Sequence, residues 1–104
     1  MTTVRVCALV EVPAGQARRF GVQGHEVAVV NLGEGRVHAV DAACSHERFF
    51  LDEGDVDTDL GTIECPKHGS TFDLATGAPR SLPAIKPVTV YPVTIEGNDI
   101  LIEV

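Results

Sequence analysis

The chain has 104 residues, and its 15 acidic against 8 basic side chains give a net charge of −7. That length holds one domain, which can bury about two-thirds of its surface. Hydrophobic residues at 44% and charged residues at 22% exclude a disordered chain, while the negative charge and only 5% aromatics exclude a nucleic-acid or anionic-membrane binder.

No stretch approaches the roughly 20 apolar residues of a membrane span. Residues 1–6, from Met1 to Val6, carry no apolar core of a secretory signal. A cytoplasmic protein is expected. Three cysteines stand at positions 7, 44 and 65. An odd number argues against a disulfide framework and leaves metal ligation open.

Glycine and proline punctuate short β-like runs, which predicts an all-β fold. In chain order the expected strands are Val4 to Leu9, Ala17 to Val22, Glu26 to Leu32 and Arg36 to Val40. A turn at Gly24-His25 and a second at Gly33-Glu34-Gly35 separate the later three. Period-two alternation puts Val37, Ala39 and Asp41 on one face of the fourth strand, and His38 and Val40 on the other. At the far end, Val88 to Ile95 and Asp99 to Val104 flank Gly97-Asn98, a tight hairpin signal. No window carries a long period of 3.6, so any helix is short.

The middle of the chain is different. Residues 41–87 hold two cysteines, two histidines, four prolines and four glycines. Only Thr62 to Glu64 and Thr71 to Leu74 read as strands there. A loop-rich segment of this length is uncommon in a small domain unless something besides sheet pairing holds it. A metal centre would do so.

Two boxes carry the candidate chemistry. The first is Cys44-Ser45-His46 and the second is Cys65-Pro66-Lys67-His68-Gly69, with 18 residues between His46 and Cys65. Each offers one thiolate and one imidazole, so two loops can close on a shared centre from two sides. One reading is a mononuclear zinc site with two cysteines and two histidines, although zinc fingers usually pair like ligands within each box. The other is a [2Fe–2S] cluster with two cysteines on one iron and two histidines on the other. Spacing leaves both open.

The flanking residues carry a resemblance. Cys44-Ser-His46 is followed by Leu51 and Gly54, then by Cys65-Pro66-Lys67-His68-Gly69-Ser70-Thr71-Phe72-Asp73, Gly77 and Pro83-Ala84, with the tail Val90-Tyr91-Pro92-Val93 and Ile95-Glu96-Gly97. This pattern resembles the Rieske family over essentially the whole chain, and most closely the soluble ferredoxins of bacterial ring-hydroxylating dioxygenase systems. The resemblance implies a Rieske-like fold: a small antiparallel β barrel or sandwich from residues 1–40 and 88–104, with a loop-rich cluster-binding subdomain at 41–87 inserted, all within one domain over 1–104. It implies a [2Fe–2S] cluster with Cys44 and Cys65 on the inner iron and His46 and His68 on the outer. Leu82, Pro83 and Ala84 would form a third loop shielding it.

Two departures from the respiratory members of the family stand out. A disulfide ties their two ligand loops, and the corresponding positions here are Phe49 and Lys67. Their serine is matched by Ser70, but their tyrosine is replaced by Phe72, which has no hydroxyl to donate toward sulfur. Loss of a donor lowers the potential. The low end of the family's range of about −150 to +300 mV is therefore expected.

The resemblance also implies function. The chain would be an electron carrier and not an enzyme, passing one electron from a flavin-dependent reductase to a terminal oxygenase, as a monomer without membrane or nucleic-acid partners. A similar ferredoxin serving another pathway, such as iron–sulfur cluster assembly, a redox-sensing module and a zinc-held structural domain are the alternatives. No catalytic residue is assigned. Cys7, His25 and His38 read as structural or solvent-facing. Residues 52–64 hold Asp52, Glu53, Asp55, Asp57, Asp59 and Glu64 with no lysine or arginine; they read as a solvated linker or as a patch that steers a basic partner. Phe49 and Phe50 either cover the cluster or form part of a docking surface.

Overall fold

The computed structural model describes residues 2–43, 50–66, 69–81 and 86–104. Among these, ten strands form three antiparallel sheets. In the first, β1 (Thr3–Ala8) pairs with β10 (Asp99–Glu103), which pairs with β9 (Val93–Glu96). The second runs β2 (Gln16–Val22), β3 (His25–Asn31), β4 (Val37–Asp41) and β8 (Val90–Tyr91). The third is β5 (Val56–Asp57), β6 (Thr62–Glu64) and β7 (Thr71–Asp73). The sheets are open and do not close into one barrel.

The expected strands are present, with three differences. The run Val88 to Ile95 is broken at Pro92 into β8 and β9, which belong to different sheets. Proline offers no N–H to a ladder, so it fits where the chain crosses from one sheet to another. The first turn is centred on Gln23 and Gly24, not on Gly24-His25, and His25 already pairs with Val22. Both central residues have positive φ, 47° and 84°, as a two-residue hairpin of matching twist requires. Strand β5 was not anticipated.

β3 lies between β2 and β4, and its residues Val27 to Asn31 are all buried. A strand covered on both faces reads as an unbroken apolar run, not as an alternation, and Val27-Ala28-Val29-Val30 is such a run. The alternation still decides which core each side chain enters. Val27, Val29, Val37, Ala39 and Tyr91 pack with Cys7, Val12, Ile100 and Ile102 beneath the first sheet. Ala28, Val30, Val40 and Ala42 face the other way, toward Leu51, Ile63, Cys65, Phe72, Leu74 and Val88. The two histidines outside the boxes sit on this framework. His38 is half-buried, and burial lowers its pKa while Asp73 opposes the shift. His25 is exposed and meets Tyr91 edge-on, with ring centroids 5.9 Å apart.

Tyr91 is only 7% exposed, and its hydroxyl donates to Asp41 Oδ1 at 2.6 Å. Burial first, then the Asp41 carboxylate, pushes its pKa up to about 12. A phenol held neutral by the fold contributes stability that is complete below its unfolded pKa of about 10 and is lost as pH rises through the folded value. Equilibrium unfolding should therefore show a fall in stability between pH 10 and 12. In Tyr91→Phe that fall should shrink, and stability at pH 7 should drop by about 1–2 kcal/mol with the lost hydrogen bond.

Candidate cluster site

Cys65 is the one described residue of the four assigned ligands. Cys44 and His46 fall in 44–49 and His68 in 67–68, outside the described residues. Cys65 follows β6 and opens the loop that returns as β7. Its N–H donates to Ser70 O at 2.7 Å, and Gly69 N–H donates to Cys65 O at 3.0 Å. Below the loop, Glu64 pairs with Thr71 and Ile63 with Phe72. β6 and β7 thus form a short hairpin, fixed at its base and, between Cys65 and Ser70, across its neck. Cys65 and Ser70 are both fully buried.

The first box hangs from a similar stem. After β4, Ala42 N–H donates to Glu26 O at 2.9 Å. Ala43 then bridges Phe50, and Leu51 N–H donates to Ala42 O at 2.7 Å. The ends of segment 44–49 are therefore held side by side. Ala42, Leu51 and Cys65 share one buried cluster, and half-buried Phe50 packs against it. The Arg19 guanidinium lies over the Phe50 ring, 3.7 Å from its centroid. Phe50 thus packs on the hydrophobic core beneath Arg19; Phe49 lies outside the described residues.

A third strand of chain closes the base. Phe72 bridges Pro79, and Arg80 N–H donates to Thr71 O at 2.6 Å. Farther on, Val88 N–H donates to Gly77 O at 2.9 Å. Residues 82–85, which include the expected shielding loop, lie outside the described set.

The described residues fit a bridged two-iron centre. Cys65 offers a soft sulfur donor in an apolar, fully buried surround of Leu51, Ile63 and Phe72, as an iron–sulfur centre would require. Its backbone is fixed on both sides by hydrogen bonds. The stem of the loop bearing the other cysteine stands against the same cluster. Phe72 is fully buried, so that position supplies packing and no hydroxyl.

Two polar features lie outside this core. Asp73 accepts from the N–H groups of Ala75 and Thr76, at 2.8 and 3.1 Å, and pairs with Arg80 at 3.0 Å. Burial acts to raise its pKa, but these N–H groups and Arg80 hold it below the usual carboxylate value. Because the folded pKa is depressed, the stabilisation is present above about pH 4 and is lost as pH falls through the folded value. Asp73→Ala should lower stability by about 1 kcal/mol at pH 7 and flatten its decline in acid, checked by urea unfolding against pH. The acidic stretch is the second feature. Glu53, Asp55, Asp57 and Asp59 are exposed, and Asp57 Oδ1 accepts from the N–H groups of Asp59 and Leu60. Asp55, Asp57, Glu64, Leu60, Thr71 and Arg80 line an open groove of about 570 Å³.

Sequence reasoning did not single out Arg19, Gly54 as a point of close approach, or Ser81. A Cβ on Gly54 would overlap the carbonyl oxygen of Glu64, beside Cys65. No local pattern reports contacts between segments so far apart in the chain.

Comparison with known proteins agrees with this geometry. The Rieske [2Fe-2S] domain model matches residues 2–92. The 3-phenylpropionate/cinnamic acid dioxygenase ferredoxin subunit of Escherichia coli K12 is 39% identical over 103 residues, which is 99% of this chain and 94% of that protein. The ferredoxin of carbazole 1,9a-dioxygenase from Nocardioides aromaticivorans IC177 superposes with a TM-score of 0.92 at 40% identity, covering 98% of this chain and 97% of that one. A ferredoxin in complex with the oxygenase of carbazole 1,9a-dioxygenase gives a TM-score of 0.86 at 33% identity, over 96% and 91% of the two chains. The chain belongs to the Rieske [2Fe-2S] domain family, whose cofactor is a [2Fe–2S] cluster.

Proposed function

We propose that this chain is a monomeric, cytoplasmic one-electron carrier that takes an electron from a flavin-dependent reductase and delivers it to a ring-hydroxylating terminal oxygenase. Cys44 and Cys65 bind one iron and His46 and His68 the other, within a cluster-binding part at 41–87. One observation carries the reading: Cys65 is buried at the neck of a fixed hairpin, against the stem of the other box. Its support is the company of ferredoxin components, alike over almost the full length, one of them in complex with its oxygenase. No helix among the described residues is long and apolar enough to cross a membrane.

The bound cluster supplies a centre that gains and loses one electron. The chain supplies the rest. With Cys44, His46, Cys65 and His68 as ligands, the cluster would have no free position for a substrate, so it would supply electron transfer rather than turnover. Leu51, Ile63 and Phe72 give Cys65 an apolar surround. The acidic surface over 52–64 steers a basic partner face, an effect that salt screens.

Stopped-flow mixing of the dithionite-reduced protein with a ring-hydroxylating terminal oxygenase tests this reading. One electron should pass per chain, at a rate that falls with ionic strength. No transfer to any such oxygenase, or turnover of an aromatic substrate by the chain alone, contradicts it.

A further inference from the structure

Ser81 lies outside both boxes, yet its hydroxyl makes three contacts where the second ligand loop meets β7, one to Gly69 of the loop and two to Thr71 at the start of β7. Ser81 Oγ accepts from Thr71 N–H at 3.0 Å, contacts Thr71 Oγ1 at 3.1 Å and donates to Gly69 O at 3.4 Å. A hydroxyl has one proton to give and two lone pairs. With the proton on Gly69 O, both lone pairs are taken by the Thr71 N–H and the Thr71 hydroxyl, so the group is saturated.

The placement is specific. Gly69 and Thr71 flank Ser70, whose carbonyl receives the Cys65 N–H across the loop. Gly69 also follows His68 directly in sequence. β7 is paired with β6 on one side only, and on its open side the chain returns through Pro79 and Arg80. At Ser81 the side chain continues this contact with β7 and Gly69. Among the described residues, backbone bonds join Cys65 to Ser70 and Gly69, and the Ser81 hydroxyl joins Gly69 to the returning chain.

We propose that Ser81 is a positioning residue that clasps Gly69 to the returning chain and so slows loss of the cluster from its second ligand pair. This rests on the ligand set proposed above. Glycine in the loop gives no side chain to packing, and Gly69 is exposed, so its carbonyl has the Ser81 hydroxyl as its tether among the described residues. Removing the hydroxyl leaves the Thr71 N–H and the Gly69 carbonyl to water, which loosens the loop without emptying the core beneath.

The test uses the holo-protein, Ser81→Ala and Ser81→Thr, with iron and acid-labile sulfide measured first. Bleaching of visible absorbance by excess iron chelator gives the rate of cluster loss, and visible circular dichroism reports cluster geometry. Ser81→Ala should bleach about tenfold faster with an altered dichroism spectrum, while Ser81→Thr, which keeps the hydroxyl, should stay within about twofold of the parent. If Ser81→Ala fails to load, a Ser81→Thr protein that loads and bleaches like the parent still supports the clasp. A loaded Ser81→Ala with the parent's rate and spectrum, or a Ser81→Thr as impaired as Ser81→Ala, overturns it and leaves the ligand set standing. A parent that loads no iron overturns the ligand set, and the clasp with it.

Discussion

Cys65→Ser should yield a protein without the visible absorption of a [2Fe–2S] cluster and with far less than one iron per chain. A serine oxygen is a harder and weaker donor to this centre than a thiolate. The side chain is fully buried at the end of β6, so no solvent-side residue can take its place. The loss is not confined to colour, because metal binding and folding are coupled. Residues 41–87 carry few strands, and three segments of that region converge on the cluster side of the core. Without the cluster this part should become sensitive to protease while β1 to β4 and β8 to β10 persist. Cys65→Ala separates the causes: it removes the ligand without placing a hydroxyl in an apolar core, and should lose the cluster equally. The same loss is expected of Cys44→Ser. A Cys65→Ser protein with its spectrum intact would contradict the assignment.

Gly54→Ala should be strongly destabilising, because its Cβ would meet backbone more closely than at any other glycine among the described residues. Gly54 has φ of −94°, so backbone freedom is not the reason for glycine here. Space is the reason. The new Cβ would overlap the Glu64 carbonyl oxygen and lie 2.8 Å from its carbon and 3.3 Å from Pro66 Cδ. Those atoms bracket Cys65. Backbone atoms cannot swing aside as a side-chain tip can, and neighbouring Asp55 O is already committed to the Glu64 N–H at 2.8 Å. Relief requires β6 to shift, at a cost of about 3 kcal/mol. Urea unfolding of the holo-protein measures that loss, and visible circular dichroism should change as Cys65 moves. Gly77 meets the same restriction from Val88 O. Stability within about 0.5 kcal/mol of the parent, with the spectrum preserved, would show that the two segments do not cross so closely.

Much of the sheet framework was legible in the sequence because alternation and turn chemistry are local. The hairpin at Gly97-Asn98 follows from turn chemistry, and the faces of Val37, His38, Ala39 and Val40 follow from period two. Pro92 was visible as a residue, but not as the point where one run divides between two sheets. Strand β5 is two residues long, Val56–Asp57, within an acidic stretch, and its pairing with Ile63 and Thr62 supplies what local propensity does not. The ligand set was legible as two boxes and a resemblance. What holds the boxes was not. Arg19 over Phe50, Gly54 against Glu64 and Ser81 across Gly69 and Thr71 join residues 10 to 31 apart in sequence. Each depends on how segments cross, which composition and spacing do not encode.

Pulsed paramagnetic resonance of the dithionite-reduced holo-protein tests the central claim most directly. Two histidines and two cysteines around one bridged pair of irons predict a rhombic signal from a single unpaired spin, coupled to two imidazole nitrogens. A diamagnetic, colourless zinc protein, or a reduced cluster signal without nitrogen couplings, would contradict the assignment of His46 and His68 beside Cys44 and Cys65.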